Sequence, residues 1–117
     1  MAKAKHGLSK NERLFRKDEF DRIFKTGNKL KLNNVYVVYA PNHLNYCRMG
    51  ISVKKSFGNA VKRNKAKRII REFFRTSKEC LPRGYDFIFI PGEGFLEHNR
   101  EDRESIRGKL ESLVSRN

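Results

Sequence analysis

The sequence predicts an α+β fold, a single domain over residues 1–117 whose helices and strands follow the order αβββαβα. Apolar residues recur at helical spacing in three segments, near 17–27, 59–75 and 100–114. Four short runs, 29–32, 35–40, 47–53 and 85–90, carry the alternation or the β-branched and aromatic content of strands. No repeat, low-complexity tract or long linker divides them, and 117 residues is near the commonest size of one domain.

Taken in order, residues 1–16 are a polar, basic N-terminal segment whose order without a partner stays open. Leu14 and Phe15 are its only adjacent large apolar pair. Lys17-Asp18-Glu19 then opens a short helix with acids in its first turn, Phe20, Ile23 and Phe24 on one face, and Gly27 as its stop. The run 35–40 ends at Pro41, and residues 42–46 make a turn. In 47–53 the alternation puts Cys47, Met49, Ile51 and Val53 on one face and Arg48, Gly50 and Ser52 on the other, which predicts a sheet with one buried and one open face. Residues 85–90 are stopped by Pro91-Gly92, and the last helix, about 100–114, turns Ile106, Leu110, Leu113 and Val114 inward.

Composition excludes several classes. With 38% hydrophobic and 34% charged residues the chain is too apolar for disorder, and its apolar runs are too short to span a membrane. The basic start has no apolar stretch behind it, so it is not read as a signal peptide. Cys47 and Cys80, without CxxC spacing, read as buried reduced thiols of a cytoplasmic protein, and no zinc site is expected. Net charge is +14, and it is uneven: residues 1–85 hold 22 Lys/Arg against 6 Asp/Glu, whereas 86–117 hold 5 against 7. Such a field repels itself, so an anionic partner is expected on the first 85 residues.

The charge concentrates on one helix. Asn59 is a good N-cap, and Ala66, Ile69, Ile70, Phe73 and Phe74 form the buried stripe. The opposite stripe is Asn64, Arg68, Arg71 and Arg75, flanked by Lys65 and Lys67, and residues 54–71 contain eight basic residues and no acid. A charge run alone is more often a solvated face, but solvated faces mix signs at i, i+4. Here Lys62, Arg63 and Lys65 crowd a helix start whose dipole they oppose, each at a cost of about 0.3–1 kcal/mol. A phosphate backbone meeting these side chains and the free N–H groups would remove that cost.

The segment Ser56-Phe-Gly-Asn-Ala-Val-Lys-Arg-Asn-Lys-Ala-Lys-Arg-Ile-Ile-Arg-Glu72 resembles the RNR motif of the bacterial ribonuclease P protein component family. The resemblance extends from residues 18–27 through 48–55 to 85–90. Lys65 stands where the motif commonly has a second Arg, which keeps the charge but loses the planar fork. The resemblance implies a non-catalytic subunit of a ribozyme: the RNA subunit, holding magnesium, removes the 5′ leader of precursor tRNA, with one protein per RNA. It implies that Lys62, Arg63, Asn64, Lys65, Lys67, Arg68 and Arg71 face the RNA subunit. It implies also a leader cleft between the first helix and the open sheet face, mapped onto Phe20, Phe24, Val37, Tyr39 and Ser52. Exposed aromatics there would stack unpaired bases. Tyr39 is expected to face it, in a register that buries Tyr36, Val38 and Ala40. The implied fold is an α/β sandwich on a mixed four-stranded sheet with a left-handed βαβ crossover, against a right-handed rule kept in about 98% of cases.

A protein-only nuclease would need clustered acids or histidines for a metal, and His6, His43 and His98 are scattered. A helix-turn-helix lacks its second short helix here. Another basic RNA-binding protein, of ribosomal or RNA-chaperone type, is the alternative the composition allows.

Overall fold

The computed structural model describes residues 10–14, 16–77 and 79–116, the side chains of Lys10 and of 113–116 excepted. Phe15, the first nine residues of the basic segment, and the expected inward side chains of Leu113 and Val114 lie outside the described residues. A 3-10 turn at Lys10–Glu12 precedes α1 (Lys17–Thr26), β1 (Asn28–Lys31), β2 (Val35–Pro41), β3 (Arg48–Ile51), α2 (Ala60–Ser77), β4 (Tyr85–Pro91) and α3 (Phe95–Arg116). The order is αβββαβα, and the sheet is four-stranded and mixed, β1-β2-β4-β3, with β3 and β4 parallel and the other pairs antiparallel.

Both faces of the sheet are covered. Val35, Val37, Cys47, Met49, Phe87 and Phe89 pack under Ala66, Ile70, Phe73 and Phe74 of α2 and Phe95, Ile106 and Leu110 of α3. Val38, Ala40 and Ile88 pack on the other face with Ile23 of α1 and Leu14, joined by Phe20, Tyr36 and Ile90. Gly50 permits α1 to sit this close, because a Cβ there would fall 2.4 Å from Phe20 Cζ. The expectation of one open face is therefore corrected: what remains open is a cleft beside α1. Cys47 is buried, whereas Cys80, in the turn after α2, is exposed, which corrects the expected burial of both thiols.

The crossover β3–α2–β4 is left-handed, and one hydrogen bond fixes its hand. Ser52 N–H donates to the Phe89 carbonyl at 3.0 Å, so that carbonyl points toward β3. The Phe89 ring meets Phe73 edge-on at 6.2 Å, so its side chain points toward α2. In an upward strand of L-residues seen from the side-chain side, the carbonyl points right. β3 thus lies to the right of β4, and the chain steps left as it passes over α2, the exception to a rule kept in about 98% of cases.

Candidate nucleic-acid interface

Asn59 caps α2: its Oδ1 accepts Lys62 N–H at 3.0 Å, and its carbonyl accepts Arg63 N–H at 3.0 Å. The cap and the buried stripe fix the rotation of the helix, which leaves Lys62, Asn64, Lys65, Arg68 and Arg71 exposed and Arg63 and Lys67 half-buried. Among the described residues none of these six cations is ion-paired, and the first turn of α2 holds no acid. Arg75, by contrast, pairs with Glu72. The sequence-derived stripe is thus brought together on one helix face, with Ile69 half-buried at its border.

The face continues beyond α2. Arg13 forms a parallel bridge to Met49, with Leu14 N–H donating to the Met49 carbonyl at 2.8 Å, so Arg13 and Leu14 lie along the outer edge of β3. Arg13 then lines a hollow of about 170 Å³ together with Lys67 and Arg71. Sequence reading did not single out Arg13. A two-residue bridge leaves no periodic signal.

The α1 side carries a groove of about 680 Å³ lined by Phe24, Tyr36, Ser52, Ile90, Lys31, Lys54, Glu93 and the β1–β2 turn at Asn33 and Asn34. Phe24 and Ser52, which the resemblance assigns to a leader cleft, both line this groove, and Phe24 is 36% exposed. Phe20 is half-buried against the sheet, its ring centroid 6.4 Å from that of Phe24. Val37 and Tyr39 are corrected. Val37 is 0% exposed in the core under α2 and α3, and Tyr39, on the same face, contacts the rings of Tyr85 and Phe87. Tyr36, Val38 and Ala40 do share a face, as expected, but it is the face toward α1, so Tyr36 lines the groove instead of Tyr39.

A buried ionic cluster holds α1 in place. Asp86, 0% exposed, accepts hydrogen bonds from Arg48 Nε and Nη2 at 2.8 Å each, Arg22 Nη2 at 2.7 Å and Asn42 Nδ2 at 2.9 Å. Arg48 also reaches Glu19 of α1 at 3.1 Å. Burial pushes the Asp86 carboxyl up, but the hydrogen bonds from Arg48, Asn42 and Arg22 and the Arg48 charge outweigh it and hold the group below the usual carboxylate range. The hydrogen bond to Asp86 raises Arg48 in turn. Among the described residues no group of three or more His, Cys, Asp or Glu could hold a metal ion, and no helix is long and apolar enough to cross a membrane.

A cationic helix face without ion pairs among the described residues, and an aromatic-lined groove on the α1 side of the sheet, fit an RNA-binding protein of α+β class. The family model described as Ribonuclease P matches residues 8–117. The chain is 41% identical over 108 residues to the ribonuclease P protein component of Petrotoga mobilis, covering 92% of each chain. It is 40% identical over 110 residues to that of Thermotoga maritima, covering 93% of this chain and 94% of that one. Among solved structures it is similar to the RNase P protein from Thermotoga maritima, with TM-score 0.72 and 39% identity over 91% of this chain and 97% of that one. It is similar also to a Staphylococcus aureus RNase P protein mutant with defective mRNA degradation activity, with TM-score 0.78 and 29% identity over 92% of each chain. The chain belongs to the ribonuclease P protein family, as a protein subunit of the ribonucleoprotein that processes tRNA 5′ ends.

Proposed function

We propose that this subunit grips the ribonuclease P RNA with the cationic face of α2, extended by Arg13, and holds the 5′ leader of precursor tRNA in the groove beside α1. The RNA subunit holds the magnesium and performs the cleavage, with one protein per RNA, in the cytoplasm. The observation that carries the reading is the set of six α2 cations without an ion-pair partner among the described residues. Left unpaired, they oppose one another, those at the helix start, Lys62 and Arg63, oppose the helix dipole as well, and RNA phosphates remove both costs. The groove suits an unpaired strand because Phe24 and Tyr36 offer stacking surfaces while Lys31 and Lys54 attract its backbone. Reconstitution with a bacterial ribonuclease P RNA tests the reading. Cleavage of precursor tRNA at low magnesium is expected only when both subunits are present, and cleavage by the protein alone would overturn it.

A further inference from the structure

The β1–β2 turn, one wall of the groove, is held from outside the sheet. Asn34 N–H donates to Asp102 Oδ1 of α3 at 3.2 Å, and the Asn34 carbonyl accepts Gly92 N–H at 2.9 Å. The Asn34 side chain lies against Gly94, where a Cβ would fall 2.6 Å from Asn34 Oδ1, and Gly94 has φ 90°. Asp102 is 2% exposed, and its Oδ2 has no hydrogen-bond partner among the described residues. A buried carboxylate with a single backbone donor is a poor stabiliser, since desolvation costs more than one such bond returns. Next along the same buried side of α3, Ile106 and Leu110 are apolar, as stability alone would favour at 102. A polar group left half-satisfied in a core calls for a role other than stability.

We infer that Asp102 is a positioning residue for the substrate groove: it fixes the Asn33–Asn34 wall at the separation from Phe24 and Tyr36 that admits the single-stranded 5′ leader. The inference rests on the reading that this groove takes the leader. Asn33 and Asn34 both line it, and their side-chain amides have no hydrogen-bond partner among the described residues, so a correctly placed wall offers donors and acceptors opposite the aromatic side. Without the Asp102 bond Asn34 keeps only the Gly92 bond of its two backbone anchors, and the wall shifts.

The test uses the reconstituted holoenzyme and the ratio of its affinities for precursor tRNA with a leader and for mature tRNA. Asp102→Leu, which fills the space without an acceptor, is expected to lower that ratio by about threefold or more, the loss of one well-placed contact. Asp102→Asn, which keeps an acceptor oxygen, retains the ratio. Ile106→Val lowers stability and leaves the ratio unchanged, as a merely structural change should. Gly94→Ala presses on the Asn34 amide from the other side with Asp102 intact, and gives the Asp102→Leu loss even if Asp102→Leu itself does not fold. All folded variants bind the RNA subunit as the parent does. A parental ratio in both Asp102→Leu and Gly94→Ala, with Phe24→Ala lowering it, overturns the role of Asp102 alone. A parental ratio in Phe24→Ala and Tyr36→Ala as well overturns the leader reading, and the inference with it.

Discussion

Arg68 is exposed in the middle of the α2 cation stripe and off its buried side, so its charge can be removed without opening the core. Arg68→Ala is expected to fold as the parent does and to flatten the plot of log K against log salt for RNA-subunit binding by about 0.7–0.9, one phosphate contact. Asp86 is the opposite kind of residue. Asp86→Asn leaves the half-buried Arg48 and the partly exposed Arg22 short of an anion, and should cost about 3–5 kcal/mol at neutral pH. A carboxyl held low in the fold stabilises fully above its unfolded pKa of about 3.9 and loses that contribution as pH falls through its folded value. The gap between parent and Asp86→Asn in urea titrations should therefore close in acid. The Asn59 cap and the cation stripe were legible in the sequence because caps and a 3.6-residue period are local. The Asp86 cluster was not, because its partners lie 38, 44 and 64 positions away.

Among the elements, β2 shows where reading by pattern ends. Its residues 35–40 are apolar or aromatic at every position, since both of its faces are covered. A period of two then says that Val37 and Tyr39 share a face, which is right, and nothing about which helix covers it. With Tyr36 toward α1, Tyr36→Ala is expected to weaken binding of precursor tRNA relative to mature tRNA by about 1–3 kcal/mol, the worth of one stacked base, while Tyr39→Ala has no such selectivity. α3 begins at Phe95, earlier than the expected 100, because Gly94 at φ 90° turns the chain into a first turn that a kink at His98 separates from the rest. That turn lacks the apolar period which marked the later part. Ile70, 2% exposed beneath α2, is the test of the helix as scaffold: Ile70→Ala should lose about 2–5 kcal/mol of stability, with RNA binding recovered wherever the chain is folded.

For the whole molecule, the proposed role has the net charge of +14 neutralise phosphates that metal ions would otherwise screen. The protein is expected to lower the magnesium concentration at which the RNA subunit cleaves precursor tRNA, and the shift should shrink as potassium chloride is raised. Sheet topology has a different consequence, in the order of synthesis. β4 lies between β2 and β3, yet it is the last strand to leave the ribosome. Its antiparallel partners on β2 are 44 to 56 residues upstream, and among the described residues β3 has no neighbouring strand besides β4, only the bridge to Arg13. A nascent chain that ends before Tyr85 can close the β1–β2 hairpin and wind α2, but it lacks the central strand whose Phe89 packs against Phe73. At about 5–20 residues per second the cationic helix spends seconds in a crowd of ribosomal RNA before its own domain exists. Until residues 85–91 arrive, α2 shows that crowd Phe73 and Phe74 as well as its cations, and it is the apolar side alone that the closing sheet takes out of reach.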